Sequence, residues 1–217
     1  MKRSLKEWGL RVAVLLAGLV VAHFGVTLFL LSDLGSDPFN VMIQGLYRTL
    51  SRLGGAAWLS HGRVHIAVSL LILAILLFVD RGYIKIGTAL CMAFGGPIID
   101  FFSVLLAPLA SSPLALRVCM LVAGCVILAF GMTMVIRSDA GTGPNDLVAL
   151  VISEKKGWKF SIVRVAVDAL FVLSGFLLGG VAGAGTLACM FLVGPVAGLF
   201  LPLNGRWIEA LVRKLCP

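Results

Sequence analysis

Long uncharged runs separated by short polar breaks set the pattern of this chain. Val12 to Ser32 passes 21 residues without Asp, Glu, Lys or Arg, and Val118 to Ile136 passes 19. Ala169 to Gly205 runs uncharged for 37 residues. The glycine-rich stretch Gly179-Gly180-Val181-Ala182-Gly183-Ala184-Gly185 interrupts it, which predicts the end of one helix, a tight turn and another helix. Two further runs are bounded by charge: Val64 to Val79 between Arg63 and Asp80, and the stretch that starts at Ile86 after Lys85. About 20 helical residues cross about 30 Å of hydrocarbon, so these runs predict membrane spans. The first is too long for the apolar part of a signal peptide and lacks a clear small-residue cleavage site, which predicts a retained helix.

Composition fits the same solvent. Hydrophobic residues make up 60% of the 217 and charged ones 13%, and the mean hydropathy is +1.07. Soluble chains are nearer half apolar and a quarter charged, so one soluble core could not hide this much apolar surface. The net charge of +8 invites a nucleic-acid reading, but its distribution argues otherwise. Lys2, Arg3, Lys6 and Arg11 precede the first span, and Arg206, Arg213 and Lys214 follow the last. Positive charge retains such segments in the cytoplasm, so both termini are expected there, and no nucleic-acid partner is expected. Five cysteines without a CxxC pair read as small residues packed between helices, four of them (Cys91, Cys119, Cys125, Cys189) in apolar stretches.

An internal repeat organises the rest. Phe24-Gly25-Val26-Thr27 leads into Ser32-Asp33-Leu34-Gly35-Ser36-Asp37-Pro38-Phe39-Asn40, and 106 residues later Phe130-Gly131-Met132-Thr133 leads into Ser138-Asp139-Ala140-Gly141-Thr142-Gly143-Pro144-Asn145-Asp146. Seven of those seventeen positions are identical. Gly87-Thr88-Ala89-Leu90-Cys91-Met92 with Gly96-Pro97 returns 98 residues later as Gly185-Thr186-Leu187-Ala188-Cys189-Met190 with Gly194-Pro195. The first copy is therefore eight residues longer between its motifs, and the Arg48 to His61 connection can hold that excess. One membrane domain, 1–217, then contains repeat 1 at 10–110, repeat 2 at 114–205 and a short basic tail at 206–217.

In each copy a span ends in a Ser-Asp-x-Gly turn, and a proline starts a short helix. The later span opens with Gly-Thr and meets Gly-Pro near its middle, where a break or kink is expected. Pro38 to about Leu53 gives roughly 24 Å of helix, and Pro144 to about Glu154 roughly 17 Å. The second is too short to cross. Both read as re-entrant half-helices, which lipid permits only where protein or a cavity surrounds them. The expected fold is all-α, with six transmembrane helices plus two short re-entrant helices in two inverted three-span repeats. Six spans place thirteen Lys/Arg inside and four outside, with Arg164 in a helix. Eight helices in two parallel repeats place fourteen inside and three outside, so charge leaves both open.

The paired motifs Leu34-Gly35-Ser36-Asp37-Pro38 and Ala140-Gly141-Thr142-Gly143-Pro144-Asn145-Asp146 resemble those of the YitT/YczE-type family of bacterial membrane proteins. So do Gly87-Thr88/Gly96-Pro97 and Gly185-Thr186/Gly194-Pro195, and the likeness spans about Val12 to Leu203. The resemblance implies a bacterial plasma-membrane location and supplies no catalytic residues. Many YitT-branch members carry a soluble C-terminal domain, so a chain that stops at Pro217 is expected to resemble the YczE side more.

The Asp-x-Gly turns carry the candidate chemistry. At a half-helix N-terminus, free N–H groups and the helix dipole favour an anion or polar solute. Asp33, Ser36, Asp37 and Asn40, with Gln44 one turn on, would meet Asp139, Thr142, Asn145 and Asp146 across the repeat axis. The bland alternative makes Asp33, Asp37 and Asp139 helix caps in the headgroup region. Arg164 and Asp168, four apart, share a helix face as a functional pair or a structural salt bridge. Asp100, opposite Gly198 in the other copy, either contacts solute or marks the interface end of a broken helix, and His23, His61 and His65 read as packing, loop and interface residues. No metalloprotease, phosphate-loop or nucleophile-elbow motif occurs, so neither an enzyme nor a cofactor is expected. The expected function is secondary transport of a small solute by alternating access, with coupling to a proton or cation and homodimerisation left open. The rival is a membrane partner that stabilises another protein, suggested by the basic loop Lys155-Lys156-Gly157-Trp158-Lys159.

Overall fold

A computed structural model describes residues 4–54, 59 and 61–216. Lys2, Arg3 and part of the Arg48 to His61 connection (55–58 and 60) lie outside the described residues. Eight α-helices follow one another among them: α1 (Leu5–Leu31), α2 (Pro38–Arg52), α3 (His61–Val79), α4 (Ile86–Leu105), α5 (Leu114–Ser138), α6 (Pro144–Lys156), α7 (Phe160–Leu177) and α8 (Ala184–Leu215). Short 3-10 helices cover Arg81–Tyr83 and Ala107–Ser111, and no strand occurs among the described residues. Five helices, α1, α4, α5, α7 and α8, are long and apolar enough to cross a membrane, and Arg63–Val79 of α3 forms a shorter apolar helix.

Local chemistry explains the boundaries. The Ser4 hydroxyl accepts from the Glu7 N–H to start α1, and Asp37 accepts from the Asn40 N–H to start α2, with Pro38 at the first helical position. Pro144 starts α6, and Gly157 ends it in the left-handed region at φ 68°. Three expectations change. α4 and α8 run on as helices through Pro97 and Pro195 with no break, because a proline removes one helical hydrogen bond while the turns on either side keep theirs. His61 begins α3 instead of lying in a loop. Residues 206–215 continue α8 instead of forming a separate tail.

α1 and α5 lie antiparallel at the centre, held by glycines rather than large side chains. A Cβ added at Gly18 would stand 3.0 Å from the Gly131 carbonyl oxygen, and one at Gly131 would stand 2.7 Å from that of Gly18. Gly25 and Gly124 repeat the relation at 2.7 Å each way. Lipid offers helices no hydrophobic drive to associate, so such close backbone packing is what joins them. Leu15, Leu19, Val135 and Ala140 fill one side of this pair, and Phe29, Cys125, Val193 and Ala197 fill another.

Two turns seat the helices that follow. Asp33 and Asp139 both adopt the left-handed conformation at φ 50° and 57°, and Gly35 and Gly141 follow at φ 153° and 137°. The Leu34 carbonyl accepts from the Gly185 N–H at 2.8 Å, and the Ala140 carbonyl from the Gly87 N–H at 2.9 Å. Each turn thus receives the start of a helix from the other half of the chain.

Side-chain contacts tie the connections into two groups. In one, Arg11 donates to the Ser138 carbonyl and pairs with Glu209, Lys85 pairs with Asp139, and Lys155 pairs with Asp80. In the other, Arg117 donates to the Ser32 carbonyl and pairs with Asp33, Arg48 donates to the Gly179 carbonyl and Thr49 to that of Leu178.

Candidate functional site

Three charged side chains meet where α6 begins against α7. Asp146 lies in the first turn of α6, after Gly143 and Pro144. Arg164 and Asp168 are one turn apart on α7, so both reach the same neighbour. The Arg164 guanidinium donates from Nε to Asp168 Oδ2 at 2.9 Å and from a terminal nitrogen to Asp146 Oδ1 at 2.5 Å. Only 1% of the Asp168 side chain and 9% of Arg164 remain exposed, so neither charge is answered by bulk water. Arg164 divides its fork between two carboxylates, and Asp168 Oδ1 finds no hydrogen-bond partner among the described residues.

The α2 side contributes a third carboxylate. Asp37 caps α2 through Oδ1, and its Oδ2 accepts from Asn40 Nδ2 at 2.5 Å. Asp37 and Asp146 both act electrostatically on Asp168. Asp146 also acts on His23 of α1 and Cys91 of α4, and Asp37 on Cys189 of α8. The starts of the two short helices therefore bracket the Arg164–Asp168 pair.

The remaining sequence candidates separate from this cluster. Asp33 is exposed and pairs with Arg117 at 3.0 Å, and Asp139 pairs with Lys85. They belong to different contact groups, so they do not meet. The Ser36 carbonyl accepts from Thr186 Oγ1 at 2.6 Å, and Gln44 Oε1 accepts from the Val181 N–H at 2.7 Å. Both hold the turn before α8. Asn145 follows Pro144 and is half-buried, while Thr142 is buried with a hydroxyl that, like that of Thr88, has no hydrogen-bond partner among the described residues. Asp100 is exposed on α4.

A cavity of about 520 Å³ opens beside Lys85 and Asp139, and Thr142 and Leu147 contribute to its wall. Asp80, Tyr83 and Glu154 also line it. The Gly82 N–H and then Lys155 hold the Asp80 carboxyl below its usual range, and the hydrogen bond to Glu154 pushes the Tyr83 phenol up to about 12. Thr142 lies four residues ahead of Asp146, so the cavity reaches the approach to the charged cluster.

Sequence reasoning passed over Lys85, Arg117, Thr88 and Thr186. Their signal is position, since Lys85 lies two residues before the first Gly-Thr motif and both threonines belong to those motifs. Among the described residues, no group of three or more His, Cys, Asp or Glu is placed to hold a metal ion.

The model of a family of unknown function, DUF6198, matches residues 9–202. The chain is 29% identical over 210 residues to an uncharacterized membrane protein, YczE, of Bacillus subtilis, covering 96% of this chain and 94% of that protein. It is 29% identical over 198 residues to an uncharacterized protein of Haemophilus influenzae, covering 90% and 85%, and 26% identical over 198 residues to the uncharacterized protein YyaS of Bacillus subtilis, covering 91% and 95%. No solved structure matches the chain.

Proposed function

This α-helical membrane protein belongs to the DUF6198 family of unknown function, and from that premise we propose that it is a secondary transporter of a small polar solute. The observation that carries the reading is the buried Asp146–Arg164–Asp168 cluster, bracketed by the starts of α2 and α6. Ionisable groups inside a membrane bundle are costly and commonly mark solute or ion paths. Broken or half-length elements facing one another at the midplane are the plan of many carriers.

In this reading α2 and α6 are re-entrant. The turn before α2 pairs with Arg117 and its end with the Gly179 carbonyl, both in one contact group. The turn before α6 pairs with Lys85 and its end with Asp80, both in the other. Six helices then cross, and α1 and α5 are equivalent spans of two inverted copies. The reciprocal Gly18–Gly131 and Gly25–Gly124 contacts support an axis in the membrane plane between them. The contact group containing Lys85 faces the cytoplasm of a bacterial plasma membrane, with both termini. One half rocks against the other, and the cavity at Thr142 is the cytoplasm-facing approach.

Alternating access makes the two approaches mutually exclusive. With native cysteines replaced, Thr142→Cys is labelled by an impermeant thiol reagent from the Lys85 side, and Ser36→Cys from the Arg117 side. Because Lys85 and Asp139 already pair beside the open cavity, a disulfide between Lys85→Cys and Asp139→Cys is expected to hold that side open, keeping Thr142→Cys labelled and suppressing labelling at Ser36→Cys. Labelling at Ser36→Cys that ignores the crosslink would sink the carrier reading.

A further inference from the structure

The cluster is unbalanced in charge, and the imbalance falls on one atom. Asp146, Arg164 and Asp168 sum to one net negative charge when all are ionised, and Asp37 adds another within electrostatic reach. Arg164 is committed on both sides, through Nε to Asp168 Oδ2 and through its terminal nitrogen to Asp146. Asp146 has the positive end of the α6 dipole behind it. Asp37 has the Asn40 N–H and side-chain amide. Asp168 Oδ1 has no hydrogen-bond partner among the described residues, although its side chain is 1% exposed. A lone carboxylate oxygen in so dry a place lacks the hydrogen bonds that normally accompany buried charge.

Every neighbouring element adds to the deficit or leaves it unchanged. α7 itself supplies Arg164, α6 supplies Asp146, α2 supplies Asp37, and α8 supplies the Cys189 thiol, which donates its hydrogen-bonding capacity to Cys125 of α5 instead. Asp168 lines neither the Thr142 cavity nor the second one beside Arg206 and Arg213. A proton answers Oδ1 without a volume of its own.

We propose that Asp168 Oδ1 binds and releases a proton, and that this proton is the coupling ion of the carrier. The proposal rests on the carrier reading for its role in transport, and on the cluster geometry alone for the site. Binding forms the Oδ1–H bond and neutralises the surplus charge of the trio. Release returns the proton to water by way of Asp146 or Asp37, which act electrostatically on Asp168 from helices whose preceding turns belong to the two different contact groups. Arg164 positions the carboxyl through Oδ2, leaving Oδ1 to exchange.

The test is infrared difference spectroscopy on the purified full chain in lipid, titrated with acid and base in H2O and in D2O, with no solute present. A protonated buried carboxyl gives a carbonyl band separate from carboxylate bands, downshifted in D2O. The band is expected in the native protein, lost in Asp168→Asn and retained in Asp33→Asn, whose carboxyl is exposed. Asp168→Glu keeps the carboxyl and should move the band, which secures the assignment if the Asn variant does not fold. No such band at any pH where the protein stays folded overturns the proposal, as does a band unmoved by both Asp168 variants. Because the spectrum is read without a gradient, the site survives if the crosslinking experiment above fails, and falls independently if the band is absent.

Discussion

Arg164 answers two carboxylates at once, and the arrangement makes it sensitive to substitution. Removing it leaves Asp146 and Asp168 facing one another with no cation, a change that costs about 3–5 kcal/mol when a buried pair is broken. Arg164→Met is therefore expected to lower stability by about that much in detergent-solubilised thermal unfolding, and adding Asp168→Asn should recover part of the loss. Equal stability of native and Arg164→Met would deny that the cluster is dry. Glycines give a second contrast. Gly131→Ala would place a Cβ 2.3 Å from the Ala22 amide nitrogen, whereas a Cβ at Gly96 would meet nothing within 4 Å. Overpacking at the first should cost about 1–3 kcal/mol. The second should be neutral or gain up to about 1 kcal/mol from helix propensity. Similar unfolding temperatures for the two variants would remove the glycine interlock as a determinant.

Among elements, the starts of helices were the most legible in the sequence, because Pro38 and Pro144 act through a fixed backbone angle that needs no partner. The Arg164–Asp168 spacing was legible for the same reason, being set within one helix. Asp146 as the third member was not, since its approach depends on how α6 meets α7. Lys85 and Arg117 escaped notice because counting loop charges assigns a side of the membrane and names no partner. Gly96-Pro97 and Gly194-Pro195 suggest a break that does not occur, since a helix in apolar surroundings keeps every remaining hydrogen bond it can. The Lys85–Asp139 pair predicts that Lys85→Asp and Asp139→Lys each lower the melting temperature and that the double swap restores it. Both side chains are partly exposed, so the effect should be about 1 kcal/mol or less. The links between Asp80–Tyr83 and α6 carry a pH dependence of opposite sign at each end. Tyr83, raised from 10.0 to about 12, contributes stability present below pH 10.0 and lost as pH rises through about 12. Asp80, lowered from 3.8, contributes stability present above pH 3.8 and lost as pH falls through its depressed value. Tyr83→Phe should flatten the alkaline limb of a stability–pH curve and leave the acid limb alone.

At the scale of the whole molecule, the test is which face of the membrane each connection occupies. Cysteines at Ser51 and Lys156, both exposed, sit at the ends of α2 and α6. Labelling intact cells with an impermeant reagent is expected to mark Ser51→Cys and spare Lys156→Cys. Protection of both would make the short helices cross and the copies parallel, and the paired approaches to Asp168 would disappear with them. The crossed seating of the turns also has a temporal side. Leu34 accepts from Gly185, a residue made 151 positions later, and Gly87 donates to Ala140, made 53 positions later. At about 5–20 residues per second of synthesis, Gly87 waits roughly 3–11 s for its acceptor and Leu34 roughly 8–30 s for its donor. During that interval the earlier half sits in the bilayer with backbone groups unanswered, in a solvent that offers none. The growing chain is thus most exposed to membrane proteases while its last helix is still on the ribosome, and the arrival of Gly185 closes that window.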